Sequence, residues 1–408
     1  MSMGEKLMRR CDELAELSSD PDRLTRVYLS LEHARANELV SRWMVDAGMR
    51  TWCDAAGNQC GRIEGDRPGL PAVILASHVD TVPGAGKYDG MLGVVLAIEV
   101  VARLRTSGRP LPFAVEVVAF GDEEGTRFGA ALLGSRAVAG TWDDEWWALR
   151  DADGISLADA FAGFGLDPGR VGEAARLPGE LVAYLEAHIE QGPRLETADR
   201  ALGVVSAIAG ARRFVIDVVG EARHAGGTPY ERRRDALVAA SEVVVAIERL
   251  ARDGAGIATV GHLSVEPGAV NVVPGRVEFS LDIRAESDDE RDTLWAAIQA
   301  TTAEVGHRRD VGFTSTQTHA AEAVRCADWL RDVVTAGIRE AGDADPLVLF
   351  SPAGHDAMAM ASVTDVGMLF VRCRDGISHH PDEEVRADDA AAAADALEAA
   401  VLALADQL

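Results

Sequence analysis

Two short, Val-rich apolar runs, AVILAS at 72–77 and FAVEVVAF at 113–120, bracket the helix-length segment GMLGVVLAIEVVARLRTSG at 90–108. This rhythm constrains the fold more than any other feature. Continuous apolar runs of this length suit strands buried on both faces, which is the habit of parallel strands covered by helices. A long apolar segment between them, closed by a glycine, completes a βαβ unit. The expected architecture is therefore an α/β sheet with helices on both faces, and loops at the carboxyl ends of its strands are where ligands collect. Segments 77–90 and 121–129 occupy that position.

The middle of the chain changes character. RFVIDVVGE (213–221), GIATVGHLSV (256–265) and RVEFSLDIR (276–284) read as strands, separated by helical stretches at 235–252 and 287–304. That order suggests a smaller α+β domain inserted into the larger one. Helix 324–341, strands 347–350 and 366–371 and helix 387–408 then return to the first pattern. The expected division is a discontinuous domain of residues 1–207 and 323–408, with an inserted domain of residues 208–322. A chain of 408 residues is consistent with two cores.

Charge and composition exclude several function classes. With 66 acidic against 40 basic residues the formal net charge is −26, which repels nucleic acid and anionic membrane. No apolar run approaches the roughly 20 residues that span a bilayer, and the N-terminal stretch has no apolar core of a secretory signal. The five cysteines contain no CxxC pair and suit a reducing, cytoplasmic location. An anionic substrate would need specific arginines to override the overall field.

Four segments carry ligand-type side chains: His78, Asp80 and Asp89 in SHVDTVPGAGKYDG, Asp122, Glu123 and Glu124 in FGDEEGTRFG, His188 in EAHIEQGP, and His379 and His380 in GISHHPDE. Taken singly, each has an ordinary explanation as a hydrogen-bonded strand-end histidine or a solvated acid. Together they form the mixed imidazole–carboxylate set that Zn²⁺, Mn²⁺ or Co²⁺ prefers. A carboxylate flanked by other ligands could hold two ions roughly 3.5–4 Å apart. A phosphate-loop reading of the glycines fails, since Gly86-Lys87 is followed by Tyr88 and neither glycine-rich phosphate pattern is complete. The glycines instead allow a tight turn that points Asp89 back at His78.

The motifs SHVDTVP…YDG, GDEEGTRFG, AHIEQGP, RHAGGTPYERRRDA, NVVPG, SPAGHDA and GISHHP, in this order from about residue 73 to 384, resemble those of the hydantoinase/carbamoylase-type amidohydrolases of the M20 metallopeptidase superfamily. The resemblance implies a mixed-sheet dinuclear metallohydrolase domain with an inserted α+β dimerisation, or lid, domain. It implies two divalent ions per subunit, Mn²⁺ first, with Zn²⁺, Co²⁺ or Ni²⁺ as alternatives. Asp89 would bridge them, His78 and His188 would complete one site, and Glu124 and His379 the other. Asp80 would orient the His78 imidazole, and Glu123 would be the general base. His224 would donate a hydrogen bond at the reacting carbonyl from the partner subunit of a homodimer. Gln191, Asn271 and Arg284 would bind substrate, with His355 at or just behind the pocket. Arg284 could instead be a surface ion pair, Asn271 a turn former and His355 a purely structural residue.

A histidine at position 188, where peptidase relatives usually place a carboxylate, points to ureido-cleaving members. The implied reaction removes the terminal carbamoyl group of a small ureido acid, with allantoate the first expectation; N-carbamoyl-L-amino acid hydrolase and β-ureidopropionase are the alternatives. Ala85, Tyr230 and Pro352 depart from the family's usual glycine, methionine and glycine. The last two border the pocket, so they bear on substrate choice. The tryptophans of TWDDEWWALRDADG (141–154) are expected to pack a surface helix.

Overall fold

The computed structural model describes residues 2–408. The chain divides into two compact units: Met1–Ser206 with Cys326–Leu349 and Gly354–Leu408, and Ala207–Arg325 with Phe350–Ala353. The first is built on a mixed sheet. Seven of its strands run in the order Arg50–Cys53, Gln59–Ile63, Ala114–Phe120, Ala72–His78, Leu181–Ile189, Val366–Val371, Leu202–Ile208. The four central strands, from Ala114–Phe120 to Val366–Val371, are mutually parallel. Their flanking neighbours are antiparallel.

Every residue of Ala72–His78 and Ala114–Phe120 is buried, as their unbroken apolar sequences require. Glu116 is tolerated there because Arg62 Nη1 at 2.7 Å and Arg176 Nη1 at 2.9 Å neutralise it. Helix Met91–Ser107 packs on the central strands and against Ala387–Gln407, which also meets Met3–Ala15 and Asp328–Glu340. Gly93 makes the close approach of the first helix to the sheet feasible: a Cβ there would lie 2.1 Å from the Ala187 carbonyl oxygen.

The second unit has the antiparallel order Leu263–Glu266, Arg276–Ala285, Gly210–Val219, Gly312–Ala321, and Gly256–Thr259 also pairs with Arg276–Ala285. Strict alternation of burial along Arg276–Ala285 places Val277, Phe279, Leu281 and Ile283 under helices Ala236–Asp253 and Asp288–Arg309. Two features differ from the sequence expectation. The run 256–265 breaks into two strands, and between them the amides of Gly261 and His262 bond to Ser280 Oγ. Strand Gly312–Ala321 carries no apolar period, being exposed along most of its length, so nothing in GFTSTQTHAA announced it. No helix among the described residues is long and apolar enough to cross a membrane.

Candidate metal centre

Parallel register assembles the site. Ala76 pairs with Glu186, so two residues further on His78 and His188 leave neighbouring strands side by side. Their Nε2 atoms are 3.4 Å apart. His78 Nδ1 lies 3.1 Å from the Asp80 carbonyl oxygen, and His188 Nδ1 lies 2.9 Å from that of Ile189. With Nδ1–H donating to a carbonyl, each ring presents Nε2 inward, the usual preparation of a ligating imidazole.

Asp89 is reached by both rings: its Oδ1 is 3.1 Å from His188 Nε2 and 3.6 Å from His78 Nε2. Its Oδ2 is 3.2 Å from His379 Nε2, which is 3.5 Å from Glu124 Oε1. Two triads result, His78–Asp89–His188 and Asp89–Glu124–His379, each with its ligand atoms within 4.8 Å of one another. Asp89 belongs to both. Glu123 stands beside them, its Oε2 3.9 Å from His78 Nε2.

Asp80 does more than face the imidazole. Its carboxylate is 3.6 Å from His78 Nδ1, but it accepts from the backbone amides of Glu123 at 3.0 Å and Glu124 at 3.2 Å. It therefore ties the acidic loop to the strand that carries His78.

The electrostatics describe a negative centre that is buried at His78, Asp89 and His188 and opens to solvent at His379. Burial disfavours the charged His78 imidazolium, yet Asp89, Glu123 and Asp80 outweigh it and hold its pKa well above the usual histidine range. Burial would also raise Asp89, but the three histidines drive it well below the ordinary carboxylate value. Glu123 is raised strongly by burial, with further repulsion from Glu124, Asp356 and Asp80. Glu124 is raised to about 7 by burial and by Asp89. The negative charge of Asp89, Glu123 and Asp80 that holds a proton on His78 would also attract a divalent cation. The donor set, nitrogen and oxygen without thiolate, fits such ions.

Three non-glycine residues at the site adopt left-handed backbone: Asp122 at φ 65°, Gln191 at φ 54° and His379 at φ 56°. Such strain persists where surrounding structure fixes a side chain for use.

The remaining expected site residues are placed as follows. Gln191 Nε2 donates to Asp89 Oδ2 at 2.8 Å. His355 is wholly buried and meets the His188 ring edge-on, with centroids 4.5 Å apart; it therefore backs His188 instead of facing an open pocket. In the second unit, Arg284 forks onto Asp282 at 2.8 and 3.2 Å and donates to the Pro352 carbonyl oxygen at 2.7 Å. His224 and Asn271 are exposed, and the Asn271 carbonyl oxygen accepts from the Ala225 amide. Trp142 and Trp147 pack against Phe161 beside a short turn of helix.

Sequence reasoning missed four polar residues around the triads. Glu186 accepts from Ser77 Oγ, Tyr184 Oη and the Ala357 amide beneath His188. Asp356 is fully buried, and Ser378 and Glu383 contact Asp89 directly. Ser378 adjoins His379 within GISHHP and Glu383 follows four residues after that histidine, so proximity in sequence was the available signal.

A family model described as peptidase family M20/M25/M40 matches residues 74–403. The chain is 41% identical over 399 residues to the N-carbamoyl-L-amino acid amidohydrolase of Geobacillus stearothermophilus, covering 97% of each. It is 37% identical over 423 residues to the allantoate deiminase of Arabidopsis thaliana, covering 96% of this chain and 80% of that one. The crystal structure of an amidase of the hydantoinase/carbamoylase family from Burkholderia multivorans superposes with a TM-score of 0.90 at 32% identity, covering 98% of this chain and 97% of the other.

Proposed function

Because the chain belongs to the M20/M25/M40 peptidase family and is a metal-dependent hydrolase of C–N bonds, we propose that it removes the terminal carbamoyl group of a ureido acid at a two-metal centre, with allantoate as substrate. The observation that carries this reading is the single carboxylate of Asp89 shared by two complete ligand triads, with Glu123 beside them.

His78, Asp89 and His188 would hold one ion, and Asp89, Glu124 and His379 the other. Bound there, the pair would polarise the ureido carbonyl and acidify water enough for attack near neutral pH. Glu123, with its Oε2 3.9 Å from His78 Nε2, takes the proton of the attacking water and returns it to the departing nitrogen. Products are ammonia, CO₂ and the shortened acid. The Arg284 guanidinium, whose Nε–Nη2 edge is engaged by Asp282, would offer its remaining Nη protons to the substrate carboxylate, and Asn271 and Gln191 would also bind substrate. His224 donates to the developing oxyanion from the partner of a homodimer. The inserted unit serves as the dimerisation and lid domain.

Allantoate is preferred on the stretch AGHDAMAMA…VGMLFVRCRDGISH. N-carbamoyl-L-amino acid hydrolysis is the second reading, favoured by the 41% identity to the Geobacillus enzyme. Ammonia release from allantoate and from a panel of N-carbamoyl-L-amino acids, after reloading stripped protein with Mn²⁺, Zn²⁺, Co²⁺ or Ni²⁺, separates the two. Release from none of them would end the proposal.

A further inference from the structure

We propose that Glu383 is a positioning residue for Asp89, clamping the loop that presents this shared carboxylate and, through Ser378, its side chain. The inference rests on the metal-centre reading above and extends it to residues that touch no ion.

Glu383 is 4% exposed and sits between the His379 turn and the last helix. Its Oε1 accepts from two successive amides, Tyr88 at 2.7 Å and Asp89 at 3.1 Å. Its Oε2 is 3.1 Å from Ser378 Oγ, whose hydroxyl lies 2.5 Å from Asp89 Oδ2. One carboxylate thus holds the backbone of a residue 294 positions away in sequence, and Ser378, whose single proton can go to either carboxylate, stands between its other oxygen and the Asp89 side chain. The loop is shaped to admit it. A Cβ at Gly86 would fall 2.3 Å from Glu383 Cβ and Cδ and 2.4 Å from Oε1. A loop glycine expected to serve a turn therefore also makes room for a carboxylate.

The geometry distinguishes this clamp from general packing. Both Glu383 oxygens are committed to the segment that carries or contacts Asp89. Hydrogen-bonding partners behind ligating side chains typically govern metal affinity by 10–100-fold. Glutamine at 383 can still accept from the two amides and reach Ser378, whereas alanine can do neither.

The test is titration of Mn²⁺ into chelator-stripped protein by calorimetry, with thermal melting of the same metal-free samples. Glu383→Gln should bind within about threefold of wild type, Glu383→Ala at least about tenfold more weakly and Ser378→Ala about tenfold more weakly. A folded Glu383→Ala that binds Mn²⁺ within twofold of wild type overturns the proposal, even if it melts earlier, because a purely structural role would change only the melt. If that variant does not fold, Ser378→Ala decides by the same criterion. Glu383→Gln binding as weakly as Glu383→Ala also overturns it, since charge and not hydrogen-bond acceptance would then be responsible. Wild-type protein that takes up no Mn²⁺ would instead defeat the metal-centre reading itself.

Discussion

Replacing Gly90 with alanine should disable the centre without touching a ligand. Gly90 precedes helix Met91–Ser107 with φ 69° and ψ −50°, a combination closed to residues bearing a Cβ. The added methyl would also fall 2.5 Å from Cγ, Cδ2 and Cε1 of the His78 ring. That ring cannot swing away freely, because Nδ1 is held at 3.1 Å by the Asp80 carbonyl and the residue is 1% exposed. Forced backbone costs about 1–3 kcal/mol, and overpacking adds about 1–3 kcal/mol. A total near 4 kcal/mol corresponds to a fall in Tm of roughly 8 °C, at about 2 °C per kcal/mol for a unit of this size. If His78 moves by even a fraction of an ångström, the first triad opens and turnover should drop by about 10²-fold. Scanning calorimetry and Mn²⁺ stoichiometry measure both effects. A Gly90→Ala protein that melts with wild type and retains two ions would refute the placement of His78 against this glycine.

Glu123→Gln should lower kcat by about 10³-fold while leaving metal content near two ions per subunit, checked by metal analysis; an active variant would remove Glu123 as the base. Mixing inactive Glu123→Gln with inactive His224→Ala subunits should restore partial activity if His224 acts across a dimer, and verified heterodimers without recovery would place it in its own chain. His33 is wholly buried, and burial, aided by Arg26, lowers its pKa from 6.5 to about 3. The unfolded chain therefore binds a proton that the folded one refuses, so stability is full above pH 6.5 and lost as pH falls toward 3, by about 2 kcal/mol at pH 5. His33→Asn should flatten that part of the pH–stability curve in urea titrations, and an unchanged slope would contradict the assignment. Burial and Asp89 raise Glu124 to about 7, so in stripped protein its contribution to stability is present below pH 4.5 and lost as pH rises through 7. Because ligands bind metal deprotonated, the stabilisation conferred by Mn²⁺ should grow between pH 5.5 and 8; a gain in Tm that is flat with pH would count against these groups as ligands.

The parallel core and the loops that bring the candidate ligands together were legible because both have local signatures. Unbroken apolar runs mark strands such as Ala72–His78, and a strand end followed by histidine and aspartate marks a ligand loop. Less legible was what depends on pairing between distant segments. The register that sets Ala76 against Glu186, and so His78 beside His188, is a property of two strands more than a hundred residues apart. The left-handed backbone of Gln191 and His379 has no glycine to advertise it. Strand Gly312–Ala321 was invisible because it is mostly exposed and therefore under no pressure to alternate.

The same reasoning explains why the candidate ligands were easier to see than their supports. A ligand side chain must be of a type that binds metal, so His78, Asp89, Glu124, His188 and His379 stand out by chemistry alone. A residue such as Glu383 is defined by where its oxygens end up, on the amides of Tyr88 and Asp89, and an acid in a loop looks the same whether solvated or buried. Buried carboxylates are costly unless partnered. The concentration of Asp80, Asp89, Asp122, Glu186 and Asp356 at 3% exposure or less around three histidines is therefore an arrangement that packing alone would not maintain. It becomes stable in proportion to the positive charge brought to it, which makes metal uptake and the integrity of this end of the sheet two readouts of one equilibrium.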